Sequence, residues 1–137
     1  MIHIIDDAYI YIRPQGLMDV KTLRRMAEEL QRIEKERPEL VLRLSDVSDV
    51  TEVRFSFYDF TRYSEIRTYP EDPFQYKTAF YVDSEVKYGF ARMCQMIIED
   101  PRNTIRIFRE MKEAARWLGI SLEPLRNRGR VPSDVAL

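Results

Sequence analysis

The chain has a single cysteine, Cys94, and a single histidine, His3. A cysteine nucleophile needs a neighbouring base or a positive field to form its thiolate. No spacing ties His3 to Cys94, so Cys94 is expected to be a small buried hydrophobe. One histidine, with no CxxC or HExxH run, leaves zinc without a ligand set. Acids are paired at Asp6-Asp7, Glu71-Asp72 and Glu99-Asp100, each at an expected turn or helix end, where carboxylates are common without a cation. GxxxxGK, GxGxxG and GxSxG are absent, which removes the phosphate-cradle and serine-hydrolase readings. The expectation is no catalytic residue, no metal and no cofactor.

Two other features could bind rather than react. Phe55, Phe57, Tyr58, Phe60 and Tyr63 fall within nine residues, with Tyr69, Phe74 and Tyr76 beyond. One helix face cannot bury them all. They are either the core between a helix and a sheet or an exposed interface. Gly89 sits inside the helical run DSEVKYGFARMCQMIIED, where it costs roughly 1 kcal/mol against alanine. Val86, Gly89, Phe90, Met93 and Ile97 share one face by spacing, so Gly89 is expected to be buried. Either it packs closely there, or it leaves room for a ligand walled by Phe90 and Met93.

The elements that would hold these residues follow from periodicity. IHIIDDAYIYIR, residues 2–13, reads as two short strands forming a hairpin, with Asp6-Asp7 as the turn. Val20, Leu23, Met26, Ala27, Leu30 and Ile33 mark a helix with Asp19 as N-cap and Pro38 as its stop. Its other face carries Arg24, Glu28 and Arg32, the pattern of a solvated face. LVLRLS, KTAFYVD and TIRIFR read as strands, and MKEAARWLG as a short helix ended by Gly119. Residues 51–66 alternate like a strand at Val53, Phe55 and Phe57. They also form a helical face, and a helix is expected. A loop with Pro70 and Pro73 follows. Residues 1–119 are expected to form the domain, with 120–137 a flexible or loosely docked tail. The order β-β-α-β-α-β-α-β-α implies a single α/β domain. Its five-stranded sheet is mostly parallel, with one antiparallel edge strand.

At 137 residues and a net charge of −1, the chain carries no global field toward nucleic acid or anionic lipid. Residues 102–130 are locally basic, with eight Lys or Arg against three acids, and RNRGR at 126–130 reads as a solubilising stretch. The N-terminus lacks the basic start of a signal peptide, and no run of 18 apolar residues is present. A cytoplasmic location is expected.

AFYVDSEVKYGFARM (79–93) and NTIRIFREMKEAARWL (103–118), in this element order, resemble STAS domains. That group includes bacterial anti-sigma-factor antagonists. The likeness is greatest to small stand-alone STAS-like proteins, whose sheet is related to the CRAL-TRIO lipid-transfer fold. In the phospho-regulated members a serine follows the strand after the first helix. Here that position falls on Glu52 or Val53, so the resemblance implies the fold without that switch. Ser48 and Thr51 are the nearby hydroxyls, read as turn or capping groups. What the resemblance implies is a non-enzymatic regulatory or protein-interaction module, expected as a homodimer. Its candidate surface is the aromatic segment. The alternative is a carrier of a small apolar or lipid-like ligand, held between the Gly89 helix and that segment.

Overall fold

The computed structural model describes residues 1–37, 40–66 and 75–131. Pro38, the loop with Pro70 and Pro73, Tyr69, Phe74, the pair Glu71-Asp72 and residues 132–137 lie outside the described residues. The elements run β1 (Ile2–Ile5), β2 (Tyr9–Ile12), β3 (Gly16–Asp19), α1 (Val20–Glu34), β4 (Leu40–Asp46), β5 (Val50–Arg54) and α2 (Phe57–Ile66). They continue with β6 (Gln75–Tyr81), α3 (Glu85–Ile98), β7 (Asn103–Phe108), α4 (Met111–Leu118) and α5 (Glu123–Asn127).

The main sheet has the order β1-β2-β4-β6-β7. Among the described strands of this sheet, β1–β2 is the antiparallel pair and the others are parallel. Asp6 and Asp7 close that hairpin with φ of 49 and 56 and an Ala8 N–H···O Ile5 bond of 2.8 Å. Two positive φ values give the turn a twist that suits a hairpin. The Asp7 carboxylate then accepts from Arg37 at 2.6 Å.

Helices α1, α2 and α3 are the crossovers from β2 to β4, β4 to β6 and β6 to β7. Each step moves one strand in the same direction. Crossovers of one hand then lie on one face of the sheet. Leu23, Met26, Leu30, Phe60, Ala91 and Cys94 accordingly share one core with Ile10, Ile12, Val41 and Phe80. The opposite face carries Tyr9, Tyr11, Leu44 and Ala79, covered by α4. Asp19 caps α1 by accepting from the Thr22 N–H at 2.8 Å, and Gly119 ends α4 with φ of 73.

Three features depart from the periodicity. A second, two-stranded parallel sheet joins β3 to β5. Its strands are four and five residues long, too short to show a period. Residues 51–66 are strand first and helix second, so Val53 belongs to β5 and Phe55 to the connection. The stretch from residue 120 is docked as far as Val131. Leu122, Leu125 and Val131 are buried beside Ala114, Ala115 and Leu118 of α4. Pro124 stands in the first turn of α5, where its missing N–H costs nothing.

The β7 edge is closed by side chains. The Ile105 N–H donates to Glu99 Oε2 at 3.0 Å, and its carbonyl accepts from Gln95 Nε2 at 2.8 Å. One residue of a neighbouring strand would supply the same two bonds. Covering an edge in this way blocks sheet extension.

Candidate functional site

The entry to α2 sorts the aromatic residues. Ser56 and Asp59 cap each other's backbone, with Asp59 N–H···Oγ Ser56 at 3.1 Å and Ser56 N–H···Oδ2 Asp59 at 2.8 Å. This capping box fixes where the helix starts and therefore its rotation. Phe60 is then buried, and its ring lies 4.9 Å from Tyr63 and 6.0 Å from Phe55. Phe55 reaches Phe90 of α3 at 5.9 Å. The inward set Phe55, Phe60, Tyr63 and Phe90 joins α2 to α3. Phe57 and Tyr58 face outward, 57% and 67% exposed. Core and exposed surface are thus both present, divided residue by residue.

Helix α3 is rotated from the expected phase. Ala91 and Cys94 are its buried positions, while Val86 and Met96 are 84% and 68% exposed. Gly89 is exposed as well, and a Cβ added there meets nothing within 4 Å. Phe90 and Met93 are half-buried against the core. Small residues at 91 and 94 let the helix lie close to the sheet, and that outweighs the bulkier stripe beginning at Val86. An added methyl at Gly89 meets open space, so the glycine is not a close-packing notch. Gly89→Ala is therefore expected to stabilise the fold by about 0.5–1 kcal/mol, through helix propensity alone. Urea denaturation of the two proteins checks this, since a clash would reverse the sign.

His3 and Cys94 are not brought together. His3 lies on the edge strand β1, 3.4 Å from the N-terminal amine. Burial, then the N-terminal charge and Arg128, pull its pKa below the usual value. Burial pushes the Cys94 thiol far up, so no thiolate is available at neutral pH. Asp100 accepts the Arg102 and Asn103 amides in a turn, at 2.7 and 3.0 Å. Among the described residues no cluster of three His, Cys, Asp or Glu could hold a metal. Ser48 donates its hydroxyl to Asp46 Oδ1 at 2.6 Å, and Thr51 is exposed on β5.

Two buried polar centres had no motif to announce them. Arg43, on β4, donates to Thr78 Oγ1 at 2.9 Å, Glu34 Oε1 at 3.0 Å and Asn103 Oδ1 at 3.0 Å. Its guanidinium lies 4.7 Å from the Tyr76 ring centre. One charge in the run LVLRLS was the available signal, because an inner parallel strand is covered on both faces. On the other face, Tyr11 donates to the buried Asp46 carboxylate at 2.6 Å.

Burial raises the Tyr11 phenol, and its bond to Asp46 raises it further. Burial, then the Asp6 charge, pushes Tyr9 up to about 12. An unfolded tyrosine releases its proton at about 10. Folded pKa values above that give stability that is full below pH ~10 and lost as pH rises through the folded values. The urea midpoint is therefore expected to fall from about pH 10 upward. The fall should be shallower in Tyr11→Phe, measured as slope against pH.

A narrow cavity of about 60 Å³ lies between the sheet and α1, α2 and α3. Met18, Met26, Phe60, Phe90 and Cys94 line it, with Arg43 and Thr78 as polar groups. Gly89 is not among the lining residues. Among the described residues, no helix is long and apolar enough to cross a membrane.

No protein-family model matches this chain, and no curated protein matches it. Among solved structures it is similar to an uncharacterised protein of the DUF3478 family from Shewanella loihica PV-4, described as having a SpoIIAA-like fold. The two share 15% identity with a TM-score of 0.59, over 86% of this chain and 90% of that one. The strand order, the antiparallel edge pair and this likeness together establish a SpoIIAA-like, that is STAS-like, α/β fold.

Proposed function

We propose that this chain is a non-enzymatic interaction module of the cytoplasm that acts through the outer face of α2 and pairs with a second copy of itself. The observation that carries this reading is the adjacent exposure of Phe57 and Tyr58, at 57% and 67%. Two large rings left in water on a helix that already buries Phe60 mark a surface kept for contact. Helix α3, packed beside α2, adds exposed Val86 and Met96. A stable interface needs roughly 800 Å² per partner, so such neighbours have to contribute. Native mass spectrometry of the wild type and of Phe57→Ala, Tyr58→Ala tests it through subunit number.

The carrier reading rests on the apolar cavity with Arg43 on its wall. At about 60 Å³ it is far below the roughly 300–1,000 Å³ of ligand sites. An apolar ligand would have to part α2 from α3. A bound mass of a few hundred daltons, lost on denaturation, would favour this second reading in the same experiment.

A further inference from the structure

The two edges of the main sheet end differently. At β7, Glu99 and Gln95 occupy the Ile105 amide and carbonyl. At β1 the pairing itself shows which backbone groups face out. The Arg13 N–H donates to the Met1 carbonyl at 2.6 Å, so these two residues form a hydrogen-bonded pair. Bonded and non-bonded pairs alternate along an antiparallel ladder. In the register His3↔Tyr11, Ile4↔Ile10 and Ile5↔Tyr9, His3 and Ile5 bond to β2. Ile2 and Ile4 do not, and their N–H and C=O groups point away from the sheet. Neither has a backbone partner among the described residues. Ile4 is 44% exposed, so no described element covers this edge.

The strand also divides its side chains by face. Ile2 lies on the side of α1, in contact with the core there, and Ile4 shares that side by alternation. His3 shares the other side with Ile5, Tyr9 and Tyr11. The N-terminal ammonium lies 3.4 Å from His3 Nε2. The charges that reach His3 are, in falling order, that ammonium, the exposed Arg128 at the end of α5, and Glu29. Cations therefore prevail on the His3 side, and apolar surface on the Ile4 side.

We propose that the β1 edge binds an acidic peptide strand, with a carboxylate facing His3 between apolar residues facing Ile2 and Ile4. The peptide runs antiparallel to β1, the more stable pairing. Its backbone bonds to Ile2 and Ile4 supply affinity, and its alternating side chains supply selectivity. Charge disfavours a second copy as the occupant. Symmetric pairing of Ile2 and Ile4 with Ile4 and Ile2 of another chain would set His3 against its own counterpart, and the same cations against each other. The edge is separate from the α2 surface, so either reading can fail alone.

The test is titration of the intact chain with an acetylated, amidated hexapeptide of alternating Val and Glu, beside its Val–Lys counterpart. Amide hydrogen exchange is followed in parallel. The Glu peptide should saturate, and the Lys peptide should bind at least about tenfold more weakly. In the free chain the Ile5 amide should exchange slowly and the Ile4 amide fast, and the Glu peptide should slow Ile4. Ile4→Pro removes an outward N–H that the fold does not use, and should weaken binding by at least about tenfold. Ile4→Val, which keeps that N–H, should retain binding. Failure of the Glu peptide to saturate would overturn the proposal. So would equal binding of the Lys peptide, or undiminished affinity in folded Ile4→Pro. Slow exchange at Ile4 in the free chain would also overturn it, since the edge would then already be covered.

Discussion

Arg43→Ala is expected to cost about 3–5 kcal/mol of stability, the usual loss when one partner of a buried ion pair is removed. Arg43 and Glu34 are 6% and 1% exposed. The guanidinium also binds Thr78 of β6 and Asn103 of β7. Its removal takes the Arg43 charge from the buried Glu34 carboxylate and cuts bonds that tie three strands to the end of α1. The double change Arg43→Met, Glu34→Leu removes both charges and fills part of the space. It should cost much less, since an apolar pair often matches a buried salt bridge. Chemical denaturation of the single and double variants separates these outcomes. A single-variant loss below about 1 kcal/mol would mean that water reaches the cluster.

The second large effect divides the aromatic segment. Phe60→Ala should cost about 3–5 kcal/mol, because the ring is 4% exposed and packs on Phe55 and Tyr63. Phe57→Ala, three residues earlier, should change monomer stability by no more than about 0.5 kcal/mol. The contrast follows from the rotation fixed by the Ser56–Asp59 capping box. Equal losses at both positions in the monomer would show that α2 is turned differently. Denaturation at a concentration low enough to dissociate any dimer keeps self-association out of the comparison.

The main sheet was legible because its signals are long and mutually consistent. Strands such as LVLRLS and KTAFYVD alternate with helical stretches of 10 to 15 residues, and a parallel sheet has few other solutions. Residues 51–66 were ambiguous for a physical reason. Val53 and Phe57 fit both the strand alternation with Phe55 and the helical face with Phe60, and the chain uses each period in turn, with Ser56 as the switch. Helix α3 departs from its expected phase because Val86 is apolar yet exposed, while Ala91 and Cys94, which are buried, add little to a hydrophobic pattern. Helix α5 was hidden by its five-residue length.

The candidate sites were less legible. The sequence singled out Phe57 and Tyr58, but only together with the buried Phe60, since exposure depends on a rotation that composition does not encode. Arg43, Asp46 and Tyr11 acquire meaning only when separate strands meet. No spacing along the chain could have joined them.

The most direct measurement is native mass spectrometry of the wild type beside Phe57→Ala, Tyr58→Ala, with circular dichroism to show that both are folded. A wild-type dimer that becomes a folded monomer in the double variant is the expected result. A dimer that survives the double change, or a wild type that is monomeric at every concentration, would contradict the role assigned to the outer face of α2.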